Sequence, residues 1–177
     1  MADKNVMLVG SQAVGKTTLI EALYNAAKRT AVGASLRSED GRRVLQYGYE
    51  NLTWAIYDFD SPDAMLQMAA DGMADAALLV IHMANGPEHG IHDLLFALVD
   101  EGVEFAGAAL TNLDALEDDE DLCYTACCEV RELFDEIGLD GDEMRLIMLC
   151  ADAAADGKEW ALDAAKSLLS MLAESVG

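Results

Sequence analysis

The chain has 177 residues, 53% of them hydrophobic, which suffices for one sizeable core but is short for two ordinary domains. We therefore expect one domain spanning residues 1–177. Its 33 acidic and 11 basic side chains give a net charge of −22, which repels nucleic-acid phosphates and anionic lipids, so we expect it to bind neither a nucleic acid nor a membrane. No apolar run reaches the roughly 18 residues that span a bilayer, and we expect a cytoplasmic protein.

The first elements can be read from the apolar pattern. The run at residues 5–9 ends at Gly10, which is typical of a strand buried on both faces of a parallel sheet. Residues 17–28 then predict a helix. Residues 30–42 are polar and lack strong periodicity, so we expect a connector there.

Strands and helices alternate through the rest of the chain. The runs at 44–47 and 53–57 flank a short segment with Gly48 and Asn51, which predicts antiparallel neighbours joined by a tight turn. The following pattern predicts, in order, a helix at 63–73, a strand at 76–81, a helix at 90–100, a strand at 105–110, a helix at 120–137, a strand at 144–149 and a helix at 158–173.

This order of elements predicts an α/β fold. Strands separated by helices of this length need right-handed crossovers, so the sheet should be mostly parallel and covered by helices on both faces. The early hairpin adds one antiparallel strand, and we expect six strands in all. Ligands of such sheets bind at the carboxyl ends of the strands, so the residues that follow the strands are candidates for a binding site.

A glycine-rich motif follows the first strand. Gly10, Gly15, Lys16 and Thr17 complete the pattern GxxxxGK[ST] between a predicted strand and a predicted helix. In such a P-loop the backbone N–H groups turn toward phosphates, the lysine reaches the β- and γ-phosphates, and the threonine hydroxyl binds Mg²⁺. The motif predicts the three-layer P-loop NTPase fold, and the alternative is a glycine-rich turn without a ligand. We expect phosphate contacts from Gly10, Ala13, Val14, Gly15, Lys16, Thr17 and Thr18.

The identity of the nucleotide base must be inferred from residues outside the P-loop, because P-loops bind ATP and GTP alike. Asp114 closes the segment Thr111-Asn112-Leu113-Asp114, which directly follows the strand predicted at 105–110. An aspartate there can accept the N1 and N2 hydrogens of guanine, which adenine does not offer in that arrangement. The alternative is that Asp114 caps a helix or a turn ahead of an acidic loop.

A further Mg²⁺ contact is expected from Asp58. It ends the strand predicted at 53–57, where P-loop proteins carry an aspartate that holds Mg²⁺ through water. Asp60 and Asp63 are the alternatives for this role, or they are ordinary loop carboxylates.

The histidines and cysteines predict no additional site. His89 and His92 flank a predicted helix start, where a surface cap is a better interpretation than a catalytic base. Cys123 and Cys127 lie four residues apart on a predicted helix, but no nearby histidine completes a zinc site, so we interpret the cysteines as reduced core thiols. We assign no catalytic residue.

Several short peptides resemble, in order and spacing, the G domains of translational GTPases of the elongation factor Tu family. The resemblance covers essentially the whole chain except residues 30–50. The matching peptides are Gly86-Pro87, Thr111-Asn112-Leu113-Asp114, Asp119-Glu120-Asp121-Leu122, Glu129-Val130-Arg131-Glu132-Leu133, Gly141-Asp142 and Glu159-Trp160. The family reads GP, NKCD, DDEEL, EVREL, GD and EW at these places. The resemblance implies a G-domain fold that binds GTP/GDP with Mg²⁺, with Asn112, Asp114 and Ala151 beside the base.

The chain departs from that family at functional positions. Thr111 and Asn112 replace the asparagine and lysine of the guanine motif, so guanine preference should weaken. Ser61 replaces the glycine that donates its N–H to the γ-phosphate, and Pro62 replaces the histidine that positions the attacking water. Residues 30–50 show no clear match to the threonine motif of the first switch. The candidates for its Mg²⁺-binding hydroxyl are Thr30, Ser35 and Ser38.

These features predict a stand-alone G domain that binds a guanine nucleotide and hydrolyses GTP slowly or with help from an unidentified protein partner. Missing positive charge could come from an arginine of that partner. It could also come from Arg37, Arg42 or Arg43. Two alternatives stay open: a pseudo-GTPase that acts as a binding or scaffold module, and an ATP-using P-loop protein. The chain holds no counterpart of the two β-barrel domains of elongation factor Tu, so we do not expect delivery of aminoacyl-tRNA.

Overall fold

The computed structural model describes residues 2–11, 13–88, 90–116 and 119–176. Within those ranges it contains seven strands and six α-helices. The strands are β1 (Lys4–Val9), β2 (Val32–Glu39), β3 (Arg42–Tyr49), β4 (Leu52–Phe59), β5 (Ala76–His82), β6 (Phe105–Thr111) and β7 (Leu146–Met148). The helices are α1 (Lys16–Thr30), α2 (Pro62–Ala70), α3 (Ile91–Asp100), α4 (Glu120–Glu136), α5 (Ala151–Ala155) and α6 (Glu159–Val176), and a 3-10 turn covers Leu113–Leu116.

All the strands join one sheet in the order β2-β3-β4-β1-β5-β6-β7. The pairs from β4 to β7 are parallel, whereas β3 is antiparallel to both β2 and β4. Of the strands in the described ranges, β3 therefore runs alone against the others, which confirms the predicted mostly parallel sheet with one antiparallel strand. The ends of β1, β4, β5, β6 and β7 meet along one side of the sheet, which we call the carboxyl edge.

Helices cover both faces of the sheet, as the sequence predicts. α1, α5 and α6 pack on one face, and α2, α3 and α4 pack on the other. Successive residues of β1 serve the two faces in turn, because side chains alternate along a strand: Val6 and Leu8 face the first group of helices, and Met7 and Val9 face the second. This double burial explains the continuous apolar run in β1.

The prediction of six strands and a connector at 30–42 is wrong, because β2 occupies most of that segment. β2 pairs with β3 through the two-residue turn Asp40-Gly41, whose φ angles of 44° and 75° are both positive, as in a type I′ hairpin. β2 carries no apolar alternation because its side chains are exposed or half-buried throughout. The Asp-Gly pair is the sequence signal that indicates this hairpin.

The second hairpin is confirmed with longer strands than predicted. β3 and β4 are joined at Glu50 and Asn51, whose φ angles are 49° and 66°, whereas Gly48 lies inside β3 opposite Thr53. The sequence predicts neither α5 nor the 3-10 turn. β7 is shorter than the predicted strand at 144–149, because the residues before it form turns held to α4 by hydrogen bonds.

The cysteines of α4 lie at the margin of the core rather than inside it. Cys123, Cys127 and Cys128 are half-buried, and Cys123 and Cys127 contact the apolar cluster beneath the helix. Partial burial raises the pKa of the Cys127 thiol. Separately, none of the helices in the described ranges is long and apolar enough to cross a membrane.

Candidate functional site

The loop between β1 and α1 lies at the carboxyl edge, and two glycines shape it. Gly10 is buried, and a Cβ at this position would lie 2.5 Å from the carbonyl oxygen of Val80 in β5, so a side chain does not fit. Gly15 adopts a φ of 87° immediately before α1, and Ala13 adopts a φ of 66°. Left-handed residues of this kind occur in the backbone nests that bind anions. Gln12 lies outside the described residues.

The N-terminus of α1 faces this loop, and no acidic side chain in the first turn offsets its partial positive charge. No side chain caps the helix, and its first turn contains no acidic residue. The first N–H groups of a helix lack intrahelical acceptors and carry partial positive charge. α1 therefore presents donors that an anion in the loop can use.

Lys16 folds over the same loop. Its Nζ donates hydrogen bonds to the carbonyl oxygens of Gly10 and Ser11, both at 2.7 Å. An ammonium group has three donors, so one remains for a further acceptor. Burial lowers the pKa of Lys16, while the nearby charges of Asp58 and Glu88 act in the opposite direction.

Thr17 and Asp58 meet at the carboxyl edge although 41 residues separate them. The parallel pairing of β1 with β4 sets Asp58 opposite Leu8, beside the loop. The Thr17 Oγ1 donates to Oδ2 of Asp58 at 3.0 Å, and Asp58 is only 3% exposed. Burial raises the pKa of Asp58, whereas the hydrogen bond from Thr17 and the charges of Lys16 and Arg43 lower it.

A cavity of about 480 Å³ lies over these groups. Its volume is within the range of small-molecule sites. The residues that line it are Ala13, Gly15, Lys16, Thr17, Thr18, Asp58, Phe59 and Asp60. Six of the predicted phosphate and metal residues are thus brought to one cavity, and Gly10 lies in the adjoining loop.

The oxygen atoms at this cavity fit Mg²⁺ only with help from a ligand. Among the described residues, no group of three or more His, Cys, Asp or Glu side chains is placed to hold a metal ion. Mg²⁺ usually keeps several waters and is held by one or two protein groups together with phosphate oxygens. The Thr17 hydroxyl and the Asp58 carboxylate are such a pair.

Thr111 connects the loop to the end of β6. Its side chain is completely buried, and its Oγ1 lies 2.7 Å from the carbonyl oxygen of Val14, to which it donates, and 3.3 Å from that of Ile81. The sequence places Thr111 first in the segment that ends at Asp114, but it does not indicate this contact. The structure therefore adds Thr111 as a residue that positions the loop.

The predicted base residues gather beyond Thr111. Asn112 has a φ of 59°, and its Oδ1 lies on the side of Gly15, 3.8 Å from where a Cβ of that glycine would be. Asp114 is exposed in the 3-10 turn, and Ala151 is buried at the start of α5. The N–H of Leu113 donates to the carbonyl of Leu149 at 3.3 Å, which joins the loops that carry Asp114 and Ala151.

The segment after β4 serves as a helix start. Ser61 is the N-cap of α2, with its Oγ accepting a hydrogen bond from the N–H of Ala64 at 3.3 Å, and Pro62 is the first helical residue. Proline is favoured at that position because its missing N–H costs nothing there. Asp60 and Asp63 are both exposed, and Asp63 lies in the first turn of α2.

The β2–β3 hairpin occupies the segment that corresponds in position to the first switch of the family that the chain resembles. Only Ala31 separates α1 from β2, and Thr30 ends α1, which is about 22 Å long for 15 residues, at the far end from Gly15. Ser35 is paired within the sheet. These positions disfavour Thr30 and Ser35 as Mg²⁺ ligands, whereas Ser38 lies beside Asp60 at the hairpin turn.

The arginines of this hairpin differ in their surroundings. Arg43 forms an ion pair with Glu21 at 2.7 Å and is close enough to Asp58 to lower the pKa of that carboxyl. Arg42 lies over the ring of Tyr57, 5.7 Å from its centroid. Arg37, on the exposed strand β2, donates a hydrogen bond to Gln46 of β3. Arg43 is therefore the member of this group whose charge acts on Asp58, which it faces across β3 and β4.

The two histidines that the structure describes, His82 and His92, make their contacts elsewhere. The N–H of Ala84 donates to Nδ1 of His82 at 3.2 Å, and His92 contacts Glu136 on the surface. His89 lies outside the described residues. Comparison of the chain with models of known protein families gives no match.

Proposed function

We propose that this chain is a P-loop NTPase of the G-domain type that binds a guanine nucleotide with Mg²⁺. The hydrogen bond between Thr17 and Asp58, beneath a loop that satisfies GxxxxGK[ST], carries the proposal. Thr17 can ligate the metal directly, and Asp58 can accept from a metal-bound water. A glycine-rich turn without a ligand gives no reason to bury a carboxylate at this point.

The phosphate groups would lie against the backbone of the loop. The N–H groups of Gly15, Lys16, Thr17 and Thr18 belong to the loop end and the open N-terminus of α1, where anions are favoured. The third donor of Lys16 would reach a phosphate oxygen while its other two hold the loop.

The base would lie between the loops that follow β6 and β7. Asp114 is the group that would read guanine by accepting from N1 and N2, with Asn112 and Ala151 on either side. Its exposure, and the loss of the family's lysine at Asn112, support a guanine preference weaker than that of elongation factor Tu, which the peptides quoted above resemble. We propose no nucleic-acid or membrane ligand, and the protein partner is unidentified.

Hydrolysis should be slow. Positioning of the attacking water and stabilisation of the charge on the γ-phosphate contribute several orders of magnitude in related reactions. Ser61 and Pro62 serve as the cap and first residue of α2, and a proline ring has no group that orients water. Turnover would therefore depend on a partner's arginine or on Arg43.

A second candidate is a pseudo-GTPase that binds nucleotide without turnover and acts as a protein-interaction module. The one-residue connection at Ala31 favours it, because a loop that closes over the γ-phosphate has no room between α1 and β2. A two-state switch requires contacts that distinguish the two nucleotides. Single-turnover measurement of phosphate release from bound GTP separates this candidate from a slow GTPase.

Titration calorimetry of nucleotide-stripped protein tests the proposal. GDP, a non-hydrolysable GTP analogue and ADP are each titrated with Mg²⁺ into the wild type and into Lys16→Ala. Loss of a buried charged partner costs about 2–5 kcal/mol, so we expect the affinity of Lys16→Ala for GDP to fall by at least about 30-fold. Lys28→Ala is the matched control, since Lys28 lies exposed in the last turn of the same helix.

Each outcome decides one part of the proposal. Binding of guanine nucleotides that is lost in Lys16→Ala and kept in Lys28→Ala supports it in full. Equal binding of ADP and GDP would remove the guanine assignment and favour an ATP-using protein. No binding of any nucleotide would overturn the proposal and favour a scaffold module without a ligand.

A further inference from the structure

A cavity of about 200 Å³ lies at the opposite end of α1 from the phosphate loop. Three elements form its walls: β3 contributes Tyr47 and Tyr49, α6 contributes Lys166 and Ser170, and Thr30 lies at the end of α1. We call it the tyrosine cavity. Since α1 is about 22 Å long for its 15 residues, the tyrosine cavity is separate from the candidate nucleotide site.

The hydroxyl of Tyr47 opens into this cavity. Tyr47 is only 3% exposed, and its hydroxyl has no hydrogen-bond partner among the described residues. The side-chain atoms of those residues that are both unpaired and sealed from solvent are Nε of Arg42 and Nε1 of Trp54, so the Tyr47 hydroxyl keeps access to the cavity that Tyr47 lines. Burial raises the pKa of Tyr47, so the hydroxyl stays protonated and can donate. Buried polar groups in native proteins are rarely left without a partner.

The apolar part of the cavity is firmly held. The ring of Tyr47 stacks on that of Trp54, its partner across β3 and β4, with ring centroids 6.3 Å apart and planes inclined by 12°. Tyr49 packs on the same face of the sheet, about 6.6 Å further along the strand. Ala31 and Leu169 complete this wall. An apolar cavity of about 150 Å³ takes up a benzene molecule, so the tyrosine cavity has room for one aromatic ring.

The polar groups at the cavity favour an anionic acceptor. Among the described residues that line it, Lys166 is the one charged side chain. Its Nζ donates to Oδ1 of Asp163 at 2.8 Å, which leaves two donors for a ligand. The hydroxyl hydrogens of Thr30 and Ser170 are already used in bonds within their own helices. The free donors are therefore those of Lys166 and Tyr47, joined by any that Tyr49 supplies.

We propose that the tyrosine cavity binds a small aromatic carboxylate, with its ring against Ala31 and Leu169 and its carboxylate accepting from the hydroxyl of Tyr47 and the ammonium group of Lys166. This site goes beyond the proposed function and requires no nucleotide. The net charge of −22 opposes the approach of an anion, but salt at 0.15 M confines that effect to about 8 Å. For so small a ligand we expect a dissociation constant of about 0.1–1 mM.

Benzoate is the probe, titrated into the isotope-labelled protein at 0.15 M salt and followed by the NMR shifts of the backbone amides. The shifts should concentrate at residues 30–31, 47–49 and 166–170. Benzyl alcohol has the same ring without the charge, so it should bind at least about tenfold more weakly.

Tyr47→Phe removes the hydroxyl and keeps the ring that stacks on Trp54. Benzoate should bind about tenfold more weakly to this variant, while the urea midpoint should not fall, because the hydroxyl has no partner to lose. Tyr57→Phe is the matched control. The hydroxyl of Tyr57 donates to Asn5, and its ring packs on the other face of the sheet, so benzoate binding should be unchanged.

Lys166→Met keeps most of the aliphatic chain and removes the charge. Benzoate should bind about three- to tenfold more weakly, because the ammonium group is partly exposed and shared with Asp163. Lys158→Met is the matched control, since Lys158 is exposed ahead of α6 and does not line the cavity.

Three results would overturn this inference. The first is the absence of benzoate binding up to about 10 mM, which means that the cavity holds only water. The second is a set of shifts confined to residues 10–18, which places the anion in the phosphate loop. The third is equal binding by the wild type, Tyr47→Phe and Lys166→Met. Benzyl alcohol that binds as tightly as benzoate would overturn the assignment of a carboxylate. None of these results bears on the proposed function, which the nucleotide titrations test separately.

Discussion

The two ends of the candidate site are built differently. At the phosphate end, which comprises residues 10–18 and Asp58, the key groups are buried or hydrogen-bonded to one another, and a backbone clash excludes a side chain at Gly10. At the base end, which comprises residues 111–116 with 150 and 151, Asp114, the residue proposed to read the base, is exposed on a short 3-10 turn. In the proposed function, recognition of phosphate would thus be fixed by backbone and core, whereas recognition of the base would depend on one solvated side chain.

The two ends are joined at Thr111. Its buried hydroxyl holds the carbonyl of Val14 at the centre of the phosphate loop, while the next residues lead to Asp114. The comparison implies that changes at the phosphate end affect all nucleotides, that changes at Asp114 affect only the choice of base, and that Thr111 affects both ends. The following predictions test this division.

The largest effect is expected for Asp58→Asn at the phosphate end. Groups that hold a metal through water contribute about 10- to 100-fold to metal affinity, so the Mg²⁺-dependent gain in nucleotide affinity should fall by that factor. Calorimetry of GDP binding with and without Mg²⁺ measures this gain. A gain equal to that of the wild type would exclude Asp58 from the metal site.

The same substitution should stabilise the protein without nucleotide. The pKa of Asp58 is raised in the folded protein, so its ionised form opposes folding at pH values above that pKa, and the cost vanishes below the ordinary pKa of an aspartate. Asp58→Asn should therefore unfold at higher urea concentration than the wild type at pH 7, with a smaller difference at acidic pH. A lower urea midpoint at pH 7 contradicts the raised pKa.

Thr111→Val removes the link between the two ends while preserving the shape of the side chain. The carbonyl of Val14 then loses its donor in a buried position, which costs about 1–3 kcal/mol of unfolding free energy. Binding of GDP and ADP should weaken together, since the loop itself loses support. Thr30→Val is the control, because the hydroxyl of Thr30 bonds to Ala26 at the exposed end of α1, where water can replace it. Equal stability of the two variants would contradict the role of Thr111.

The phosphate end could be predicted from the sequence because its motif is local. Gly10, Gly15, Lys16 and Thr17 are eight residues or fewer apart, and the flanking strand and helix have clear periodicities. The pairing of Asp58 with Thr17 could also be anticipated, since it needs only that β4 end beside β1. The structure adds that the two side chains are hydrogen-bonded to each other and that Asp58 is buried.

Prediction from the sequence fails where the hydrophobic pattern of a strand is weak or where a contact joins residues far apart in the chain. The side chains of β2 are exposed or half-buried, so the strand shows no apolar alternation, and the prediction of a connector at residues 30–42 was wrong for this reason. The contact of Thr111 with Val14 joins residues 97 positions apart, and no local pattern encodes it.

Asp114→Asn should affect the base alone. An asparagine cannot accept two hydrogens from guanine but can pair with xanthine, so affinity should shift from GDP toward xanthosine diphosphate. A hydrogen bond to a charged group contributes about 1.5–3 kcal/mol, and the exposure of Asp114 argues for the lower end, about tenfold. Competition between the two nucleotides, measured by calorimetry, gives the ratio. An unchanged ratio would remove Asp114 from the base site.

Ala13→Gly should produce the smallest change, a slight rise in Tm. The sign of this change shows whether the loop holds residue 13 in the left-handed conformation. Ala13 is exposed with a φ of 66°, which costs a non-glycine residue about 1–2 kcal/mol, while glycine adds about 0.5–1 kcal/mol of entropy to the unfolded chain. Ala13→Gly should therefore raise the free energy of unfolding by about 0.5 kcal/mol and Tm by about 1–2 °C. The affinity for GDP should not fall. Ala70→Gly, in the last turn of α2, should lower Tm instead, because the helical conformation suits alanine. If Ala13→Gly lowers Tm as Ala70→Gly does, then the loop of the free protein does not hold Ala13 in the left-handed conformation, and the phosphate end is less preorganised than its geometry indicates.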